Sequence, residues 1–209
     1  MIALSLLSEL SMSGGCRENF DFGIDATVLK STVASVDRLC GDVAHRFPGL
    51  AFVSVGPAVP SGLASREGVV DEELLDMDDF VSFTDPARVS RWRAHLPAGV
   101  QLWVTDNLGL RMGPDAAETD PLQFQMHVEP DGAIKALPMY EGTVGNLLVE
   151  DPESLWERCV QRRSDPFVVE QLSRAHTVQG WAAAARAIDH HFASPADLVR
   201  LRRRQPFSG

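Results

Sequence analysis

Hydrophobic and polar positions alternate most cleanly from Leu122 to Glu129. Leu122, Phe124, Met126 and Val128 interleave there with Gln123, Gln125, His127 and Glu129. Successive side chains on a strand point to opposite faces, so this spacing predicts a strand with one oily face and one polar face. Pro130-Asp131-Gly132 is turn chemistry, and a second apolar run, Ala133 to Met139, follows at once. Together they predict a β-hairpin, with the other elements packed against its oily face.

Elsewhere the period changes. Leu29, Val33, Val36, Cys40, Val43 and Phe47 recur at spacings of three and four. That stripe predicts a helix from about Thr27 to Phe47, capped by Asp25 or Thr27 and stopped by Pro48-Gly49. Short apolar runs predict strands at Ile2 to Leu7, Leu50 to Val55, Phe80 to Phe83, Val100 to Thr105 and Thr143 to Val149. Leu50 to Val55 is almost wholly apolar, so both of its faces should be covered. Gly56 to Gly68, rich in proline and glycine, reads as an exposed loop.

One local pattern recurs. Asp85-Pro86, Asp151-Pro152, Asp165-Pro166 and Ser194-Pro195 each set a capping side chain directly before a proline. The side-chain oxygen accepts the free amides of a first helical turn, and proline at the first helical position has no N–H to lose. Each pair therefore predicts a helix start. From Asp151 onward the pattern is helical throughout, with Leu155, Trp156, Cys159 and Val160 on one side of the first helix. Val178, Trp181, Ala185, Ile188 and Phe192 line one side of the third. The expected architecture is α+β: a mixed, largely antiparallel sheet with packed helices and an all-helical C-terminal segment. The expected division is an α+β sheet domain over residues 1–150 and a helical C-terminal segment over 151–209 that packs on it, the two forming one compact unit.

Composition narrows the function. The chain has 209 residues and a formal net charge of −10. It is long enough to bury a core without disulfides or metals. The acidic balance argues against nucleic acid and against anionic membrane surfaces as partners. Cys16, Cys40 and Cys159 are odd in number and widely spaced, so neither a disulfide framework nor a zinc site is expected. The short apolar N-terminus, interrupted by Glu9, does not read as a signal peptide, and a soluble cytoplasmic chain is expected. The Ala-, Arg-, Asp- and Val-rich usage is that of a GC-rich bacterial genome.

The polar face of the hairpin is the first chemical candidate. His127 is the expected general acid/base, with Glu129 orienting it. Gln123, Gln125, Lys135 and Trp103 are the expected ligand contacts, with the Gly56 to Gly68 loop closing the site. No cofactor and no metal are implied. The same row is also what the wet side of any antiparallel sheet looks like. Cys16, beside Arg17 in a Ser/Gly loop, is a candidate nucleophile, though an idle loop cysteine has the same surroundings. His190 and His191 are adjacent, so on a helix they point about 100° apart and chelate poorly. The Arg200 to Arg204 cluster is expected to lie against the acidic segment Asp71 to Asp79.

These features support a small enzyme or ligand-binding protein that works on a small polar molecule by metal-independent acid/base chemistry. The alternative is an acidic partner-binding protein, of immunity or adaptor type, that meets a basic protein through Asp76, Asp78 and Asp79. A third reading is an accessory subunit docking through the C-terminal helices. Oligomeric state is not legible in the sequence.

Overall fold

The computed structural model describes residues 2–12, 21–105 and 125–203. The chain packs as two compact units: Met1–Ala58 with Leu75–Asn107, and Val59–Leu74 with Leu108–Gly209. The C-terminal helices share a unit with the hairpin.

The first unit is built on a parallel sheet. Strands β1 (Phe22–Val28), β2 (Leu50–Pro57) and β3 (Gln101–Val104) lie in that order. Both pairings are parallel, with Ile24 opposite Val53 and Val53 opposite Leu102. Parallel neighbours need a crossover, and helical segments supply it. Between β1 and β2 the chain runs through α2 (Ser35–Arg38), a π turn over Leu39–Val43 and a 3-10 turn over Ala44–Arg46. Helices α4 (Met77–Phe83) and α5 (Pro86–His95) precede β3. The core joins Val28, Val36, Cys40, Phe47, Val53, Val55, Phe83, Trp92 and Leu102. The expected sheet was largely antiparallel. The described strands instead form one parallel and one antiparallel sheet of three strands each.

Three local expectations change in this unit. Ile2–Met12 is a helix, α1, not a strand. Its inward positions are Leu4, Leu7, Ser8 and Ser11, at helical spacing, while Leu6 and Leu10 face solvent. A short apolar run does not distinguish strand from buried helix, and two serines on the inner face hid the period. The Ser8 hydroxyl donates to the Pro48 carbonyl at 2.6 Å. Thr27 belongs to β1 rather than to a helix start, so neither it nor Asp25 is a cap. The stripe does pack inward at Val36, Cys40 and Phe47, but pairing with β2 takes Thr27 and Val28, hydrogen-bonded turns follow over residues 29–34, and helix begins only at Ser35. Phe80 to Phe83 lies in α4: Asp76 accepts from the Asp79 amide, and the Asp79 carboxylate accepts from the Asp76 amide. This capping box turns an aromatic run that resembles a strand into a helix.

The second unit carries an antiparallel meander of β4 (His127–Val128), β5 (Ala133–Lys135) and β6 (Gly145–Asn146), with His127 opposite Lys135 and Val128 opposite Ile134. The expected hairpin is present, though short. Leu122 to Phe124 lie outside the described residues. The oily face is only partly covered. Ile134 is fully buried with Ala136, Leu155 and Cys159, and Met126 packs against them, but Val128 is exposed. The unit also holds α3 (Val69–Glu72), α6 (Pro152–Arg163), α7 (Pro166–Ser173), α8 (Val178–Phe192) and α9 (Pro195–Arg202); α6 packs on the meander through Leu155 and Cys159, α7 packs on α6 and α8, and α3 packs on α8. Residues expected in an exposed Gly56 to Gly68 loop are largely ordered: Gly56 and Pro57 end β2, and Gly62–Ser65 is a 3-10 turn.

All four aspartate- or serine-proline pairs start helices. Asp85 accepts from the amides of Ala87 and Arg88, Asp151 from Ser154, Asp165 from Phe167, and Ser194 from Asp197. On α6 the inward side is narrower than expected. Leu155 and Cys159 are buried, while Trp156 and Val160 are partly exposed. No helix among the described residues is long and apolar enough to cross a membrane.

Candidate functional site

The hairpin turn sets the first part of the site. The Glu129 amide donates to the Ala133 carbonyl at 2.8 Å, leaving a three-residue loop of Pro130, Asp131 and Gly132. Gly132 has φ +81°, a left-handed conformation that a loop of this length needs and that glycine adopts at low cost. The Asp131 carboxylate accepts the Ala133 amide at 3.0 Å, fixing the turn from within.

Cross-strand pairing then brings the polar row together. The Lys135 ammonium sits 2.8 Å from Glu129 Oε1, and His127 Nε2 lies 3.9 Å from the same oxygen. The hydrogen bond and charge of Lys135 hold the Glu129 carboxyl below its ordinary range. Glu129 is therefore an ionised acceptor rather than a proton donor near neutrality. The His127 side chain is 48% exposed. Gln125 is also exposed, and its backbone carbonyl accepts from the Arg163 guanidinium on α6, which donates to the Ala136 carbonyl at 3.1 Å as well. Gln123 and Cys16 lie outside the described residues. Trp103 belongs to the first unit, on β3, stacked on Phe52 with ring centroids 4.3 Å apart.

A cleft of about 420 Å³ opens beside the hairpin, lined by Glu129, Asp131, Lys135, Glu141, Asp197 and Arg200 among others. Asp131, Glu141, Asp197 and Arg200 were not assigned to the site from the sequence. Arg200, at the end of α9, reaches Glu141 Oε2 at 2.7 Å and Asp197 Oδ1 at 2.9 Å. This replaces the expected contact of Arg200 with the acidic segment. Asp76 and Asp79 have a different cation, Lys30, at 3.8 and 3.2 Å, and Arg204 lies outside the described residues. None of residues 56–68 lines the cleft, so the expected closing loop is not part of it.

A buried, hydrogen-bonded network lies behind Glu141 of the cleft. The buried Asp189 carboxylate on α8 accepts the Glu141 amide at 2.8 Å, and the Tyr140 hydroxyl accepts the Trp181 indole N–H at 2.8 Å. Tyr140, Trp181 and Asp189 are each at most 3% exposed. Burial pushes the Tyr140 phenol up to about 12, and the neighbouring Asp189 charge adds to the rise. Gly142, next along, has φ +91°, and a Cβ there would stand 2.6 Å from both the Cβ and the carbonyl oxygen of Phe192. The only sequence signal for this network was apolar periodicity on α8, which marks Trp181 as core but is silent on Asp189.

The remaining histidines have structural partners or surface positions. His45 Nε2 donates to the His95 carbonyl at 2.8 Å, and the exposed His191 ring stacks on Phe167 at 4.0 Å. Among the described residues no group of three or more His, Cys, Asp or Glu side chains is placed to hold a metal ion. No protein-family model, curated protein or solved structure matches the chain, so the reading of the site rests on its geometry.

Proposed function

We propose that the protein binds a small, charged, polar molecule in the cleft beside the β4–β5 hairpin. The observation that carries this reading is the lining: four carboxylates and two cations converge on one cavity, one cation held by Glu129 and the other by Glu141 with Asp197. The volume falls in the range of small-molecule sites. Carboxylates that share a site repel one another unless cations lie among them, and here Lys135 and Arg200 do.

Binding is favoured over acid/base catalysis as the primary role. Glu129 is already satisfied as the ion-pair partner of Lys135, and His127 does not line the cleft. If a bound molecule is also turned over, His127 is the nearby titratable group that would carry a proton, 3.9 Å from the cleft residue Glu129. The partner-binding alternative has less support. Asp76 and Asp79 serve the α4 cap and pair with Lys30, so the acidic face has its own structural work.

The test is an NMR titration of the full chain with small charged molecules. Amides of residues 129–143 and of α9 should shift together and saturate. A Lys135→Ala, Arg200→Ala double variant that folds normally should lose the response. Unchanged binding in that variant would place the site elsewhere. His127→Ala should leave affinity within about twofold, a fraction of 1 kcal/mol; a large loss would make His127 a direct contact.

A further inference from the structure

We infer that the ligand of this cleft is a zwitterion, with a carboxylate and an ammonium held apart by a short polar spacer, as in a dipeptide. The inference rests on the binding reading above and adds the ligand's chemical class. Two unused capacities carry it.

Arg200 is the first. Both of its ion pairs, to Glu141 and to Asp197, run through the single atom Nη2. Among the described residues its Nε and Nη1 donors make no hydrogen bond, and the side chain is 60% exposed at the cleft wall. A guanidinium presents its donors as a planar fork matched to a carboxylate. A ligand carboxylate can therefore be taken on without breaking the bonds that hold Arg200 in place.

Asp131 is the second. Its Oδ1 accepts the Ala133 amide, while among the described residues no cation pairs with it and Oδ2 accepts nothing. Its charge is felt by Glu129, whose carboxyl it opposes in ionising. A cation placed beside Asp131 removes that repulsion and gains a charge-assisted hydrogen bond.

These two capacities have opposite sign and come from different elements, the hairpin turn and the end of α9. A ligand with only positive ends would meet Arg200 as a like charge. One with only negative ends would meet Asp131, Glu129, Glu141 and Asp197. A molecule with one end of each kind satisfies both walls, and the cavity has room for a spacer of dipeptide length.

The experiment compares glycylglycine, 1,4-diaminobutane and glutarate as probes, by NMR titration of the full chain at neutral pH. Glycylglycine should shift the amides of the hairpin turn and α9 with an affinity about tenfold or more above the other two, the scale of one lost charge-assisted contact. Asp131→Asn keeps an oxygen for the Ala133 amide but removes the charge, and Arg200→Gln removes the fork. Each should weaken glycylglycine about tenfold, with far-ultraviolet dichroism and melting temperature reporting that the fold persists. Equal or tighter binding of diaminobutane or glutarate at these amides would overturn the zwitterion assignment and leave the cleft as a ligand site. So would variants with undiminished affinity for glycylglycine. Silence of these amides towards all three probes would overturn both readings.

Discussion

The Asp189 carboxylate, buried on α8, accepts the backbone N–H of Glu141 at 2.8 Å. Through that bond the core of the second unit sets the position of a residue that lines the cleft and holds Arg200. Asp189→Asn retains an oxygen acceptor and should bind the ligand nearly as well as the native chain. Asp189→Ala leaves the amide without its acceptor, and should cost about 1.5–3 kcal/mol of stability, the usual range for a hydrogen bond to a charged group. Chemical denaturation measures the cost. Equal stability of the alanine variant would show that the bond does not anchor the loop.

Tyr140 is the only tyrosine in the chain, so ultraviolet titration reports it alone. Tyrosinate absorbance should stay absent at pH 10, where a free phenol is half ionised, and rise only towards 12. The folded-state value lies above the unfolded one, so the neutral phenol's contribution to stability is complete below pH 10 and is lost as pH climbs towards 12. Ionisation near 10 with the fold intact would mean the hydroxyl is not enclosed beside Trp181 and Asp189.

Lys135 keeps the Glu129 carboxyl below its ordinary range, first by hydrogen bond and then by charge. Lys135→Met should let that value climb back, read from carboxyl carbon shifts in an NMR pH titration. Because the folded-state value is the lower one, the pair supports the fold above the ordinary value of 4.5, and that support disappears as pH falls through the folded-state value. An unmoved Glu129 titration would show that the ion pair is not maintained in solution.

Gly142 lines the cleft in a conformation and at a distance that leave no space for a side chain. Its clash is with the backbone oxygen of Phe192 as well as with its Cβ, so no rotamer change relieves it. Gly142→Ala should destabilise the protein by about 1–3 kcal/mol, from strain and overpacking, and should weaken ligand binding at the same time. Gly41→Ala is the control, since nothing lies within 4 Å of a Cβ there.

Asp151 and Asp165 cap α6 and α7 through their side chains, each beside a proline in the first turn. Replacing either by alanine should cost about 1 kcal/mol, measured by urea denaturation, whereas asparagine should be nearly neutral. A comparable loss with asparagine would assign the stabilisation to charge rather than to the accepted hydrogen bond.

Much of the molecule was legible in local sequence. The four capped proline starts, the α8 stripe of Val178, Trp181, Ala185 and Ile188, the β2 run and the hairpin turn at Asp131-Gly132 all depend on neighbours within a few residues. For such signals the physical cause and the sequence pattern coincide. The cross-strand placement of Lys135 opposite His127 followed from the turn in the same way, because a short hairpin loop dictates register. Where two local readings competed, the sequence misled. Ile2 to Leu7 and Phe80 to Phe83 are short runs that fit strand or helix, serines at the inward positions 8 and 11 hid the helical period of the first, and Thr27 and Val28 were claimed by pairing with β2. Tertiary structure decided the parallel order of β1, β2 and β3, since the apolar β2 run shows that both of its faces are covered but not which strands lie beside it or in which direction. It also decided the cleft. Lys135 and Arg200 lie on separate elements far apart in the chain, and only the packing of α8 and α9 behind the hairpin converts scattered charges into a site, because Coulomb and hydrogen-bond energies depend on distance in space rather than along the chain.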